Sequence, residues 1–221
     1  MKKRMIYLVD ETRDKILSTA EKIFTEMGFF ETQMKDIANQ AAISRNTVYR
    51  YFHDKSDLAM TSIERIIYRK EKEQQEQIDQ LRKETDLTGL KRFEKILNLN
   101  WLNKEQICES KLMAEFDAYY SGVRISEMMK KRFFKLESSN YENLMVSLID
   151  EGKEDGSIRS DIDSHLIFVT TVNSIRALKQ RIILRGDVLV EVKENEIQTI
   201  LPQLMKLLMA GLKNAGEKDE N

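Results

Sequence analysis

One proline and eight glycines in 221 residues leave the chain short of helix breakers. A fold of many short strands and tight turns needs more of both, so long uninterrupted helices are expected. The single cysteine, Cys108, excludes an internal disulfide framework and suits a reducing cytosol. Standing alone, it reads as a small buried apolar residue rather than a redox sensor. Only two histidines are present, His53 and His165, far apart in the chain. They form no nucleophile–base set and no metal-ligand spacing, and the chain has no Gly-rich phosphate loop. The nearest paired carboxylates, Glu151 and Asp155, fall in a polar turn. Neither an enzyme nor a metal or cofactor is expected. No window approaches 18 apolar residues, so no membrane span is expected. Ile6-Tyr7-Leu8-Val9 is too short for a signal peptide, which points to the cytoplasm.

Nor does one sign of charge dominate. The net charge is −1, and residues 1–60 hold ten Lys and Arg against nine Asp and Glu, a net of +1. A face for a polyanion must therefore be local, and residues 43–55 carry Arg45, Arg50 and Lys55 against Asp54 alone. Weak bulk charge predicts modest non-specific affinity for nucleic acid and a shallow salt dependence.

What is present is concentrated between Thr32 and Asp57. Met34, Ile37, Ala38 and Ala41 recur at i, i+3, i+4 and i+7, one apolar face of a helix with Thr32 placed as its N-cap. Ala41-Ala42-Ile43 closes that helix, and Ser44 is the next N-cap. In the helix that follows, Val48 and Phe52 point inward together. Arg45, Asn46, Thr47, Tyr49, Arg50 and Tyr51 are left outside, with His53 just beyond. Two short helices joined by a tight turn are what a helix-turn-helix requires, with bonding groups at the N-terminal end of the second. Asp54-Lys55-Ser56-Asp57 then reads as a capping box with Asp at both key places, starting a helix whose first turn would face a phosphate.

These residues carry a resemblance. Gly28, Thr32, Ile37-Ala38, Ser44, Tyr49, Phe52 and Lys55 stand in order at the places of the pattern found in tetracycline-repressor (TetR) type regulators. The run from about Thr12 to Leu58 resembles their DNA-binding domain. Ala42 and Asn46 stand where members of that family very often carry Gly. Ala42 costs little if its backbone is right-handed, and more if φ is positive. The resemblance implies an all-α fold. Residues 1–57 would form a three-helix helix-turn-helix domain, 58–216 a helical effector-binding and dimerisation domain, and 217–221 a disordered tail. It implies DNA contacts from Thr32, Gln33, Ser44, Arg45, Asn46, Thr47, Tyr49, Arg50, Tyr51, His53 and Lys55. Among them Thr32, Tyr49, Tyr51 and Lys55 would touch phosphate, while Arg45, Asn46, Thr47 and Arg50 would read bases.

The rest of the chain continues as helices. Ile16, Ala20, Ile23, Phe24 and Met27 form a stripe from Thr12 that stops at Gly28, and Lys2-Lys3-Arg4 reads as a frayed terminus, with a minor-groove arm as the functional alternative. From Lys55 a helical pattern runs toward Thr85, and Arg69 to Glu76 read as a solvated stretch. Further apolar patterns run from Leu90 to Leu102, Glu105 to Tyr120 and Ser126 to about Glu151. The last two, around Leu166–Leu184 and Ile197–Leu212, are apolar over more than one face. A larger core or a two-fold four-helix interface would each satisfy them. The resemblance favours a homodimer through Ile167, Thr171, Ile175, Leu178, Leu204 and Leu208. Trp101, Phe116, Tyr119, Tyr120, Met128 and Phe133 fit ordinary packing or the lining of an apolar cavity. The resemblance implies a small hydrophobic effector there. The expected function is a homodimeric transcriptional regulator, a repressor on palindromic double-stranded DNA that a ligand releases. The alternatives are a DNA-binding dimer governed by a protein partner or by nothing, and a helical interaction protein without operator binding.

Overall fold

The computed structural model of the chain describes residues 2–101, 107–121, 126–137, 140–193 and 196–214. The expected all-α fold is found. The helices are α1 (Lys2–Met27), α2 (Met34–Gln40), α3 (Arg45–Tyr51), α4 (Lys55–Leu81), α5 (Gly89–Trp101), α6 (Ile107–Ser121), α7 (Glu127–Glu137), α8 (Asn140–Glu154), α9 (Ser164–Arg185) and α10 (Ile197–Leu212). Helix α1 begins at Lys2 rather than Thr12, so Lys2-Lys3-Arg4 is helical backbone and not a frayed end. No helix among the described residues is long and apolar enough to cross a membrane.

The chain divides into two compact units, Met1–Tyr68 with Ile107–Ser126, and Arg69–Gln106 with Glu127–Asn221. The division falls at Tyr68 rather than at the expected Asp57, and residues 107–126 join the N-terminal unit. Burial explains the shift. In the first unit α1 buries Ile16, Ala20, Ile23 and Phe24 at i, i+4, i+7 and i+8. The first half of α4 buries Leu58, Ala59, Ile63 and Ile66, and α6 buries Leu112 and Phe116. The short helices α2 and α3 add Ile37, Ala38, Val48 and Phe52.

In the second unit, Leu90, Phe93, Ile96 and Leu97 of α5 share a core with Leu144, Met145, Leu148 and Ile149 of α8. Helix α9 adds Ile167, Phe168, Val172 and Ile175, and α10 adds Leu201, Met205, Met209 and Leu212. Residues 155–159, Asp-Gly-Ser-Ile-Arg, join three of these helices. Asp155 Oδ2 accepts the Gly89 N–H at 2.6 Å, and Ser157 Oγ accepts the Leu90 N–H at 3.1 Å, so α5 is capped from 66 residues away. The Arg159 N–H reaches the Leu212 carbonyl at 2.9 Å at the end of α10. Burial alone would raise the Asp155 carboxyl. The bonds from Ser157 and the Gly89 N–H hold it below its ordinary value.

The expected dimer residues need correction at three positions. Ile167, Thr171 and Ile175 are at most 3% exposed within their own chain, on the stripe that α9 turns to its core. They have no surface left for a second copy. Leu178, Leu204 and Leu208 are only half-covered, packed against the edge of that core.

Candidate nucleic-acid interface

Helix α3 is seven residues long and cannot hold its shape alone. Val48 and Phe52 fix it to the core at 0% and 2% exposure. Ser44 caps it as expected, its Oγ accepting the Thr47 N–H at 3.1 Å and bonding the Thr47 hydroxyl at 2.8 Å. With one face anchored and the first turn capped, Arg45, Asn46, Tyr49 and Arg50 are all exposed, and Thr47 and Tyr51 partly so. The Arg50 guanidinium lies 5.6 Å from the centre of the Tyr51 ring, which pairs a cation with an aromatic plane on the outer face. At its end, Asp54 Oδ1 accepts the Asp57 N–H at 2.8 Å while Asp57 Oδ2 accepts the His53 N–H at 2.9 Å. Both aspartates of the expected box are used, and exposed His53 sits 3.0 Å from Asp54.

The turn between α2 and α3 settles the question left at Ala42. The Ile43 N–H returns to the Ala38 carbonyl and the Ala42 N–H to the Asn39 carbonyl, the two bonds of a Schellman ending. That ending places Ala42 at φ +51, the left-handed region where a Cβ is penalised. Ala42 is exposed, so nothing obstructs a change. Ala42→Gly is expected to stabilise the protein by about 0.5–1 kcal/mol, the relieved strain being partly offset by a looser unfolded chain. Thermal unfolding checks this, and a fall in Tm would contradict the turn geometry.

Two expected phosphate contacts turn inward instead. Thr32 is fully buried and its hydroxyl donates to the Gly28 carbonyl at 2.6 Å. It closes the turn after α1 and leaves the N-cap of α2 to exposed Gln33, whose N–H donates to Asp36. The Lys55 ammonium donates to the carbonyls of Phe29 and Phe30 at 2.9 and 3.3 Å, and lies 4.5 Å above the Phe29 ring. Burial lowers its pKa, while the carboxylates of Glu115 and Glu31 pull the other way.

Glu115 was not picked out by sequence reasoning. It sits on α6 with 8% exposure, and its Oε2 accepts the Phe30 N–H at 3.0 Å. Its signal was available: an acid lying on the apolar stripe Leu112, Phe116, Tyr119 at i+3. Three pocket candidates share this neighbourhood. The Phe29 ring packs against Phe116 and Tyr119 at 5.3 and 5.2 Å between centres, and Tyr120 lies 4.9 Å from Phe116. In the other unit, Met128 is 64% exposed and Phe133 half-buried. The side chains of Trp101 and Cys108 lie outside the described residues, as does the tail 217–221.

Residues 16–60, the stretch just described, match the family model of "Bacterial regulatory proteins, tetR family". The HTH-type transcriptional regulator HbdR of Aromatoleum sp. (strain CIB) is 36% identical over 74 residues, 34% of this chain and 32% of that protein. The match thus spans about a third of HbdR's length. The HTH-type transcriptional repressor KstR2 of Mycolicibacterium smegmatis (strain ATCC 700084 / mc(2)155) is 24% identical over 157 residues, 71% of this chain and 72% of that one. Among solved structures, the transcriptional regulator FadR from Bacillus subtilis in complex with stearoyl-CoA superposes with a TM-score of 0.59. It covers 90% of this chain and 98% of the other at 16% identity, a likeness of fold.

Proposed function

We propose that the chain is a TetR-type transcriptional regulator, a reading supported by the match of residues 16–60 to that family's model, and that it acts as a homodimeric repressor released from a palindromic operator by a small organic ligand. The observation that carries this reading is the outer face of α3. Arg45, Asn46, Tyr49 and Arg50 face solvent together on a helix held rigid by Val48, Phe52 and the Ser44 cap. Arg45 and Asn46 stand in its first turn, the part of a recognition helix that meets base edges.

One seven-residue helix reads only a few base pairs, so a second copy is needed about 34 Å away. With the inner stripe of α9 used up, the dimer face falls to its outer stripe: Leu166, Thr170, Asn173, Ala177 and Leu184, all exposed. Leu207 of α10, 63% exposed, extends the apolar part. The repressor role is supported by the name of KstR2, and an organic effector by the stearoyl-CoA in the FadR structure. Helix α4 runs unbroken from the DNA-binding unit into the body, and the ligand would act by shifting it. A coupling of roughly 1–3 kcal/mol, about 5–150-fold in operator affinity, suffices.

Selection of bound sequences from a random duplex pool tests the reading. A symmetric pair of half-sites one helical turn apart is expected, and an asymmetric or featureless pool refutes it. On the selected operator, Arg45→Ala is expected to cost about 1–3 kcal/mol per half-site and to relax discrimination at one base. Equal losses on operator and random DNA would reduce Arg45 to a phosphate contact.

A further inference from the structure

The guanidinium of Arg13, on α1, lies over the Phe52 ring at 5.3 Å from its centre. Phe52 is the residue that ends α3, and only 2% of it is exposed, whereas Arg13 itself faces solvent. A guanidinium over a ring uses its face. Its N–H groups stay in the plane and point outward, free for an acceptor. Among the described residues Arg13 finds none, neither a hydrogen bond nor an ion pair. Glu11 and Asp14 lie two and one residues away, spacings that do not face each other on a helix. The acids that follow α3 are engaged: Asp54 accepts the Asp57 N–H and lies beside His53, and Asp57 accepts the His53 N–H. Of the arginines in the first unit whose side chains are described, Arg65 pairs with Glu21 at 3.6 Å. Arg13, Arg45 and Arg50 reach no described carboxylate.

Position along α3 says what such a cation meets. Arg45 and Asn46 open the helix, where base edges are read. Phe52 follows Arg45 by seven residues, about 10 Å along the axis. The major groove is about 12 Å wide, so a cation placed there has passed the base edges and stands against the groove wall, which is sugar and phosphate. Arg50, 5.6 Å from the centre of the Tyr51 ring, stands near the same end. The local charge balance asks for another cation as well, because the Lys55 ammonium is committed to the carbonyls of Phe29 and Phe30.

We infer that Arg13 is a phosphate contact, by which α1 grips the DNA backbone beside each half-site. This rests on the reading of α3 above and adds a second helix to it. One ring serves both parts. Phe52 fixes α3 to the core on one side and carries the Arg13 guanidinium on the other, so base readout and backbone grip share a single register.

The test follows binding of the full-length protein to duplex DNA by fluorescence anisotropy, on the selected operator and on a random duplex, over roughly 0.05–0.3 M NaCl. Wild type is compared with Arg13→Met, Arg13→Gln, Arg13→Lys and Lys22→Met. Methionine keeps an apolar cover over Phe52 without the charge. Lys22 is an exposed cation farther along α1, 3.9 Å from Glu26, and serves as the control. Each phosphate contact contributes about 0.9 to the slope of log K against log salt. Losing one per subunit should flatten that slope by about 1.8 in Arg13→Met and Arg13→Gln, equally on both duplexes. Binding at about 0.1 M salt should weaken about tenfold or more. Arg13→Lys should restore the slope, and Lys22→Met should leave it unchanged. A wild-type slope in Arg13→Met overturns the inference even where its melting temperature falls, since Arg13 is then only a cover for Phe52. A flattening shared by Lys22→Met overturns it too. Symmetric half-sites bound with a slope indifferent to Arg13 keep the reading of α3 and remove this contact. A featureless selected pool with an Arg13-dependent slope on random duplex does the reverse. Wild type that binds neither duplex at low salt overturns both.

Discussion

Gly89→Ala is expected to lower the stability of the body by about 4 kcal/mol or more, roughly 8–16 °C in Tm for a chain of this size. Gly89 opens α5 against the last turns of α8, and a Cβ there would lie 2.2 Å from the Gly152 nitrogen and 2.4 Å from its Cα. Both are backbone atoms of a helix, so no rotamer change relieves the clash. The helices must move apart instead. Separation stretches the Gly89 N–H bond to Asp155 and the Leu90 N–H bond to Ser157, leaving two helix-terminal donors unmet. It also opens the core between Leu90 and Phe93 on one side and Leu148 and Ile149 on the other. Gly152→Ala should be milder, because its Cβ meets chiefly the end of the Ile158 side chain at 2.5 Å. Circular dichroism melts of the two variants decide the matter. A Gly89→Ala protein melting within about 2 °C of wild type would mean that α5 and α8 do not approach this closely.

The second large effect belongs to the DNA-binding unit. Gly28→Ala is expected to cost about 2–4 kcal/mol, in two parts that experiment can separate. Gly28 has φ +87, so any Cβ there carries roughly 1–2 kcal/mol of left-handed strain. The same Cβ would lie 2.5 Å from Oε2 of Glu115. That carboxylate sits at the end of a flexible side chain and can retreat. Retreat breaks its bond to the Phe30 N–H and takes negative charge away from Lys55. In a Glu115→Ala background only the strain remains, so the second part should drop out of the Gly28→Ala effect there and appear as the coupling energy of the double-mutant cycle. Additive single and double variants would show that Glu115 and the Gly28 turn are energetically separate. Operator affinity of Gly28→Ala should fall with stability, since the turn that Glu115 and Lys55 brace leads directly into α2.

How much of this could be read from sequence depended on range. The two short helices, the Ser44 cap and the paired aspartates at α4 were legible because each depends on residues within one turn. Thr32 and Lys55 were placed correctly in the chain and wrongly in space. A hydroxyl and an ammonium beside a DNA-binding surface resemble phosphate ligands until the carbonyls of Gly28, Phe29 and Phe30 appear next to them. The φ of Ala42 could not be read at all, because a Schellman ending shows itself in backbone bonds and not in a residue type that announces it. On α9, apolar residues on more than one side left two assignments open. Thr171, expected at a dimer interface, is 2% exposed, while Leu166 of the same helix is 54% exposed. Glu115 and Lys179 carry the more useful lesson. Each is a charged residue on an otherwise apolar stripe, and neither is singled out by the sequence pattern. Such an interruption marks a place where the partner surface is not hydrocarbon.

The stretch that carries the family's signature, residues 16–60, is not a free-standing module. Helix α6 enters the chain almost fifty residues later, yet it supplies Leu112, Phe116 and the carboxylate at Phe30 to the same unit. A chimera that transplants only the first 68 residues onto a foreign body would strip that cover and expose one side of Phe29. This head is expected to keep its stability on another scaffold only as a split cassette, the N-terminal segment together with α6. Substitutions at Gly28 and Glu115 should therefore be inherited in step.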